Sequence, residues 1–213
     1  MYGVIFDLDG TLLDTQRIYI PAWDYAGEKQ GFKNCGDHIK YVLGTNEESW
    51  SQYLADKFVG MDVPAFKADA TLYIKENIKI KFKKGAKEFV EYLRQKGIPF
   101  AIGSGGNTEV IRKYLEILGV SDWFEYIVGG DQVQNSKPAP DTFLLAAKKM
   151  GVAPENCFVF EDSDNGVCAA VRGGIKCIGI PDIAPFGKAA RDCLFKELNS
   201  MDEAVEIFEN LLN

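Results

Sequence analysis

Histidine and cysteine are both scarce in this sequence. His38 is the only histidine in 213 residues, which excludes a zinc site built from several imidazoles, and its polar neighbours predict an exposed side chain. The five cysteines are odd in number and form no C-x-x-C pair, so they suggest neither a disulfide framework nor a paired-cysteine metal site. We expect free thiols, with Cys157 and Cys177 buried in apolar runs as core residues.

Acidic residues outnumber basic residues in this sequence. The chain has 24 Lys and Arg against 31 Asp and Glu, a net charge of -7. This balance argues against a nucleic-acid or membrane-surface partner, because polyanions are bound through basic patches. The sequence also lacks a charged-then-apolar leader and an apolar run long enough to span a bilayer, so a cytoplasmic location is expected. A small anionic substrate remains compatible if the site supplies its own positive charge. The oligomeric state stays open, with a monomer as the simpler expectation.

The second part of the sequence is typical of an α/β protein. From Lys83 onward, helical patterns alternate with short apolar runs at 99–103, 126–128, 157–160 and 175–180. Such alternation predicts a doubly wound, mostly parallel sheet with helices on both faces. Ser200 and Glu203 have the spacing of a capping box for a last helix.

A purely helical block interrupts this alternation after the first strand. Apolar residues recur at helical spacing from Ile18 to Tyr25, from Trp50 to Phe58 and from Phe66 to Ile78. We therefore predict an α/β core formed by residues 1–14 and 81–213, with a helical cap domain at 15–80 inserted into it. A ligand would be enclosed between the two, since small-molecule sites are common at domain junctions.

The first strand delivers two acids into a turn. An apolar run at 4–6 is followed by Asp7, Leu8, Asp9 and Gly10. If the extended geometry persists, both carboxylates leave the same side of the chain while Leu8 points into the core. Two carboxylates this close favour a bound cation or a shared proton, with one acid as nucleophile and the other as proton shuttle. A loop with two solvated aspartates is the alternative.

Two later loops could bind an anion. Ser104, Gly105 and Gly106 follow the second strand and precede a helix, which combines a hydroxyl with exposed amides; a simple helix cap at Asn107 is the alternative. Lys137 precedes Pro138 in a rigid approach to another helix and is a point charge suited to a phosphate; an ordinary surface lysine is the alternative.

A further acidic pair ends the strand at 157–160. Glu161 and Asp162 are followed by a polar turn that starts a helix, so Asp162 or Ser163 could simply cap that helix. Together with Asp7 and Asp9, however, this pair supplies hard oxygen ligands with positions left for water. That donor set suits Mg²⁺ better than zinc.

These motifs together resemble those of the haloacid dehalogenase-like superfamily, and most closely its β-phosphoglucomutase-like and small-molecule phosphatase branch. The matching segments come in the family's order and span the chain: Asp7-Leu8-Asp9-Gly10-Thr11, Ser104, Ser136-Lys137-Pro138 and Glu161-Asp162-Ser163 with Gly166. A helical block between the first two also matches. The resemblance implies a Rossmann-like core and a Mg²⁺-dependent phosphoryl-transfer enzyme that acts on a small-molecule phosphate ester.

The resemblance also implies roles for individual residues. Asp7 would attack phosphorus to form an aspartyl phosphate, and Asp9 would protonate the leaving oxygen and then activate water. Mg²⁺ would be held by the Asp7 side chain, the Asp9 backbone carbonyl and Asp162, with Glu161 as a further ligand or a support. Ser104 and the Gly105 amide would hold phosphoryl oxygens, and Lys137 would neutralise charge and position Asp7, since phosphoryl transfer depends mainly on positioning and charge neutralisation.

Four functions remain open at this stage. A phosphatase acting on a small metabolite, a sugar phosphate being one candidate, is preferred over a sugar phosphomutase. Tyr19 stands where the mutase pattern has histidine, and Glu47 stands where the mutase cap has an arginine for the distal phosphate. Glu47 would repel a second phosphate. A dehalogenase is disfavoured because that branch resembles this motif without the acid at Asp9. A non-catalytic phospholigand-binding module ranks last, because every motif position is filled.

Overall fold

The computed structural model describes residues 2–77 and 79–212, and its centre is a parallel β-sheet. Six strands form the sheet in the order β3-β2-β1-β4-β5-β6, and all neighbouring strands are parallel. The strands are β1 (Gly3–Phe6), β2 (Phe100–Gly103), β3 (Tyr126–Val128), β4 (Cys157–Glu161), β5 (Lys176–Gly179) and β6 (Lys196–Glu197). The predicted α/β class and doubly wound sheet are confirmed.

The strand order puts the acidic motifs side by side. β1 lies between β2 and β4, with Ile5 paired to both Ala101 and Val159. The chain reverses direction across the sheet at this position, and ligands of open α/β sheets bind at such a switch point. β6 was not predicted, because its two residues are exposed and charged and leave no apolar run in the sequence.

Helices cover both faces of the sheet. They are α4 (Ala86–Lys96), α5 (Thr108–Ile117), α6 (Asp141–Met150), α7 (Asp164–Arg172), α8 (Lys188–Arg191) and α9 (Ala204–Leu212). Val4 and Phe6 pack in one buried cluster with α4, α5 and α9, whereas Ile5 packs in a second cluster with α6 and α7. Side chains alternate along a strand, so a continuous apolar run such as β1 fits a strand that is buried on both faces.

Residues 16–77, called the helical insert below, lie between β1 and β2. They contain α1 (Gln16–Glu28), a 3₁₀ turn (Cys35–Tyr41), α2 (Glu47–Lys57) and α3 (Val63–Asn77). These elements pack around their own buried cluster, which includes Trp23, Leu54 and Phe66. Ile78, which continues the predicted helical pattern, lies outside the described residues. The division into a core and a separate cap domain with boundaries at 15 and 80 stays a prediction.

Two local predictions were wrong. Ser200 and Glu203 do not form a complete capping box: a 3₁₀ turn (Met201–Glu203) precedes α9, and Ser200 Oγ donates to Asp202 Oδ2 at 3.0 Å instead of capping the turn. His38 is half-buried rather than exposed, because its Nδ1 lies 2.7 Å from the Tyr53 hydroxyl and its ring packs edge-on against Phe58.

The expectation for the cysteines is confirmed. Cys157 and Cys177 are buried, and all five cysteines are free thiols. Among residues 2–77 and 79–212, helices are too short or too polar to cross a bilayer.

Candidate active site

Asp7 stands at the end of β1, where the chain leaves the sheet. Its backbone N–H still donates to Phe160 O on β4 at 3.0 Å, which fixes the residue in the plane of the strands. The chain then turns: the Leu12 and Leu13 N–H groups both donate to Leu8 O, and the Leu8 side chain is buried as predicted. Gly10 has a φ of 87°, a backbone conformation that strains any residue with a Cβ.

Lys137 is the cation of this site and lies fully inside the protein. Its Nζ donates to Asp7 Oδ1 at 2.6 Å and to Glu161 Oε1 at 2.7 Å. The ammonium group also lies 4.4 Å from the centroid of the Phe143 ring. Only 1% of Lys137 is exposed, so the alternative of an ordinary surface lysine is excluded.

Glu161 uses both of its carboxylate oxygens on the protein. Besides the contact of Oε1 with Lys137, Oε2 accepts from the Asp162 and Ser163 N–H groups and from Ser163 Oγ, all within 2.9 Å. A Cβ added to Gly166 would lie 1.8 Å from this carboxylate, so only glycine fits there. Glu161 therefore holds Lys137 and the loop after β4 in place.

Three carboxylates converge beside Lys137. Oxygens of Asp7, Glu161 and Asp162 all lie within 4.8 Å of one another, and the three residues are buried. Asp162 Oδ1 accepts weakly from Thr11 Oγ1 at 3.4 Å, whereas Ser163 caps α7 by accepting from the Gly166 N–H. Hard oxygen donors at this spacing fit a Mg²⁺ ion, and Asp7 and Asp162 have oxygens available for it.

Gln16 joins this cluster and was not identified from the sequence as a site residue. Its Nε2 donates to the Asp9 backbone carbonyl at 2.6 Å and to Asp162 Oδ2 at 2.7 Å, so it bridges two of the expected Mg²⁺ ligands. Its Oε1 is buried without a hydrogen-bond partner among the described residues. An amide with one orphaned oxygen next to three carboxylates fits a site that also accommodates a cation or its waters.

Asp9 lies at the junction with the helical insert. Its carboxylate accepts a 2.5 Å hydrogen bond from Thr15 Oγ1, immediately before α1. The Asp9 side chain lies outside the carboxylate cluster, and the Asp9 backbone carbonyl is linked to that cluster through Gln16. Tyr19 of α1 and Tyr114 of α5 are also neighbours of Asp9, and their hydroxyls lie 3.5 Å apart.

The loop after β2 brings Ser104 to the same edge of the sheet. Ser104 is buried, its N–H donates to Val128 O on β3, and its Oγ accepts from the Gly106 N–H at 3.0 Å. Asn107 caps α5 by accepting from the Glu109 N–H. The capping role therefore belongs to Asn107, and Ser104 remains available as a separate polar group beside Gly105.

Burial and charge set the protonation of the three central groups. Burial raises the pKa of Asp7 to about 7, with Glu161 adding to the increase and Lys137 opposing it. Burial also raises the pKa of Asp9, against the Thr15 hydrogen bond and the Lys137 charge. Burial alone would lower the pKa of Lys137, but the Asp7 and Glu161 charges outweigh it and raise the pKa, so this lysine stays cationic.

Burial acts on Asp162 as well. It raises the pKa of that carboxyl well above the usual range, and the neighbouring Glu161 and Asp7 charges raise it further. Acids crowded in this way ionise readily only when a cation joins them.

A cavity of about 470 Å³ opens between this edge of the sheet and the helical insert. Asp7, Asp9, Ser104 and Gly105 line its core side. Glu47, at the first turn of α2, lines the side of the insert, but its side chain is 62% exposed and is ion-paired with Lys67. Asp7, Glu161 and Asp162 thus lie together beside Lys137, whereas Asp9, Ser104 and Gly105 line the cavity next to them and Glu47 stands apart at the cavity wall.

Comparisons with known proteins agree with this arrangement. The family model for haloacid dehalogenase-like hydrolases matches residues 4–180. A phosphorylated carbohydrates phosphatase of Thermotoga maritima is 30% identical, with 100% of both chains covered. The fructose-1-phosphate phosphatase of Escherichia coli K12 is 31% identical over 84% of this chain and 95% of its own. A crystal structure from Thermotoga maritima, provisionally assigned as a β-phosphoglucomutase, superposes with a TM-score of 0.76 at 28% identity, covering 99% of each chain.

Proposed function

The chain belongs to the haloacid dehalogenase-like hydrolases and is an enzyme of the phosphatase kind, and from this premise we propose that it hydrolyses a small phosphorylated metabolite through an aspartyl phosphate on Asp7. The observation that carries the proposal is the buried contact of Lys137 Nζ with Asp7 Oδ1 at 2.6 Å, at a cavity that Asp7 itself lines. The lysine orients one carboxylate oxygen, and the other oxygen is available for attack on phosphorus. Sugar phosphates are one candidate class, since two relatives are named for them.

Asp9 would be the proton-transfer group. It lines the cavity two residues after Asp7, and its raised pKa, caused by burial, keeps a larger protonated fraction near neutral pH. The protonated acid would donate to the leaving alcohol, and the resulting carboxylate would then remove a proton from the water that attacks the aspartyl phosphate. Thr15, immediately before the helical insert, would hold the carboxylate in position.

The phosphoryl group would be bound by the core. Ser104 and the Gly105 amide border the cavity next to Asp7, where they could donate to phosphoryl oxygens. Lys137 would neutralise negative charge from behind Asp7 and hold its orientation, with Glu161 keeping the lysine in place. Fixed donors and charges of this kind account for most of the catalysis of phosphoryl transfer.

Mg²⁺ is the cofactor that these residues fit. Asp7, Asp162 and the Asp9 carbonyl would hold the ion, and Glu161, whose oxygens are engaged elsewhere, would support them. When bound, the ion offsets the charge of the carboxylates and of the substrate's phosphoryl oxygens.

Chemical trapping tests the aspartyl phosphate directly. The enzyme is quenched during turnover of a phosphate ester with Mg²⁺ and treated with borohydride, which reduces an acyl phosphate to the alcohol. We expect mass spectrometry to find homoserine at position 7 in the wild type and unmodified residues in Asp7→Asn, which should also lose turnover while keeping its circular dichroism spectrum. Reduction at another carboxylate, or Asp7→Asn with substantial activity, would refute the proposal.

A phosphomutase is the second candidate, supported by the likeness to the provisional β-phosphoglucomutase. The same aspartyl phosphate would then be passed to a sugar hydroxyl rather than to water. Tyr19 and Glu47 provide neither the histidine nor the arginine of the mutase pattern, although Lys67 offsets part of the Glu47 charge. We expect a hexose 1-phosphate, if it is turned over, to release inorganic phosphate. Quantitative conversion to the 6-phosphate with little free phosphate would establish the mutase.

A further inference from the structure

The side of the cavity formed by the helical insert is aromatic. Trp23 of α1 and Trp50 of α2 both line it, and their ring centroids lie 5.7 Å apart at an angle of 47°. Trp23 is nearly fully buried and packs edge-on against Phe66, so its position is fixed by the core of the insert. Rigid indole walls provide flat apolar surface on which a ring can stack at little cost in conformational entropy.

The same cavity is negatively charged. Among its lining residues in the part of the chain that the structure describes there is no lysine, arginine or histidine, whereas Glu47, Glu48 and Asp131 all border it. On the side of the insert, Lys67 lies 5.5 Å from the Trp50 ring centroid but is held in its ion pair with Glu47. A leaving group with a second phosphate or a carboxylate would therefore meet repulsion without a compensating partner.

The cavity is also larger than one phosphoryl group needs. Its volume of about 470 Å³ falls in the range of pockets that enclose a whole small ligand. Thr71 and Asn46 add uncharged polar groups to this wall, where they could pair with the edge of a heterocycle.

Resting on the phosphatase function above, we propose that the substrate is a monophosphate of a sugar or other alcohol that carries a flat, uncharged ring, as a nucleoside 5′-monophosphate does. The phosphate would lie at Asp7 and Ser104, and the ring against Trp50 and Trp23. Substrates with a second anionic group are the class that this wall selects against.

A matched substrate pair tests the ring. Uridine 5′-monophosphate and ribose 5-phosphate share the phosphorylated ribose and differ in the base. We expect kcat/KM to be about 10-fold or more higher for the nucleotide, a ratio in the range that base stacking supplies. The difference should fall mainly in KM, because stacking is the same in the ground state and the transition state. Fructose 1,6-bisphosphate should be a poorer substrate than fructose 6-phosphate.

Three variants separate recognition from folding. Trp50→Leu should remove most of the preference for the nucleotide, and Trp50→Phe, which keeps a smaller aromatic ring, should retain part of it. Trp123→Leu is the matched control, since Trp123 stacks on Phe82 away from the cavity lining, and should keep the full preference.

The outcomes distinguish this inference from the proposed function. Equal or better turnover of ribose 5-phosphate, or a preference for the bisphosphate, would overturn the ring-bearing substrate class and leave the phosphatase intact. The same applies if Trp50→Leu folds and keeps the wild-type preference. Failure to hydrolyse any of these esters with Mg²⁺ would overturn the ring-bearing substrate class, whereas the phosphatase function is tested independently by borohydride trapping at Asp7.

Discussion

The positive charge of Lys137 allows several acidic side chains to be buried in one site. Its ammonium contacts Asp7 and Glu161, and its charge also acts on Asp9. The neighbouring Asp162 has only hydroxyl and amide partners among the described residues. Burying several like charges is costly, so this lysine serves the fold as well as the chemistry.

Replacing Lys137 should therefore destabilise the protein strongly. We expect Lys137→Met to lower the free energy of unfolding by about 3–5 kcal/mol at pH 8 in the presence of a chelator, because it leaves buried carboxylates without their cation. Urea unfolding measures this change in the free energy of unfolding. Lys188→Met is the control: that lysine is 92% exposed and pairs with Asp192 on the surface, so its loss should cost less than about 0.5 kcal/mol. A loss below 1 kcal/mol for Lys137→Met would contradict the argument.

The raised pKa of Asp7 makes stability depend on pH. Burial raises its pKa from 3.8 to about 7, so the folded state binds a proton that the unfolded state has released. The stabilisation from this proton is complete below pH 3.8 and is lost as the pH rises through about 7. Asp7→Asn has no such proton to lose. Its Oδ1 can still accept from Lys137.

We therefore expect Asp7→Asn, with chelator present, to gain stability relative to the wild type between pH 5 and pH 8. The gain should be on the order of 1–4 kcal/mol, since one pKa unit corresponds to roughly 1.4 kcal/mol. Urea unfolding of both proteins at the two pH values measures the difference. Parallel pH dependences would show that the ionisation of Asp7 is not linked to folding.

Among the secondary-structure elements, the two chain segments that join the helical insert to the core, residues 12–14 and 81–83, pair with each other. The Asp14 N–H donates to Lys81 O, and the Lys83 N–H donates to Leu12 O, both at 2.9 Å. Asp182, which follows β5 and has a nearly buried side chain, accepts from Lys83 Nζ at 2.6 Å and contacts Arg17 Nη2 at 3.4 Å. One carboxylate of the core thus contacts a connecting segment at Lys83 and the helical insert at Arg17.

Asp182→Asn should loosen this junction. We expect it to lower the free energy of unfolding by about 1–3 kcal/mol, the range for a hydrogen bond to a charged group, and to speed hydrogen exchange at the Asp14 and Lys83 amides. Asp192→Asn, which breaks only an exposed pair with Lys188, is the control and should change neither. Unchanged exchange at both amides in Asp182→Asn would mean that the ion pairs do not hold the connections together.

For the whole molecule, a bound cation and the fold should stabilise each other. The carboxylates of Asp7, Glu161 and Asp162 are close together only in the folded chain, so an ion that binds them favours that state. At a concentration 100 times its dissociation constant, an ion adds about 2.7 kcal/mol. For a chain of this length that free energy corresponds to roughly 5–10 °C in Tm.

We thus expect Mg²⁺ to raise the Tm of the chelator-treated protein in a concentration-dependent way, as measured by calorimetry. Phosphatase activity should disappear on chelation and return with Mg²⁺, and zinc should replace it poorly because the donors are hard oxygens. Asp162→Asn should lose most of the shift, whereas Asp202→Asn, at a surface pair with Lys84, should keep it. An equal shift in Asp162→Asn would place the ion elsewhere.

The sequence by itself determined the fold class and the motif residues. An apolar run that ends in Asp7 predicts a buried strand delivering an acid to the sheet edge, because the strand period and the residue that follows it are both local properties. The order of the four motifs then located Ser104, Lys137 and Glu161. β6 was not predicted because it has no apolar residues. Its pairing with β5 depends on the tertiary packing that brings the two strands together.

Only the tertiary structure decided how these residues work together. Gln16 bridges Asp9 and Asp162, Glu161 turns its carboxylate to Lys137, and Glu47 pairs with Lys67. The aromatic wall of Trp23 and Trp50 is another such feature, since the same residues read along the chain are ordinary helix-core positions. Each of these contacts joins groups that are at least seven residues apart in the sequence. Their partners are therefore set by packing and by the need to pair buried charges, which no local pattern encodes.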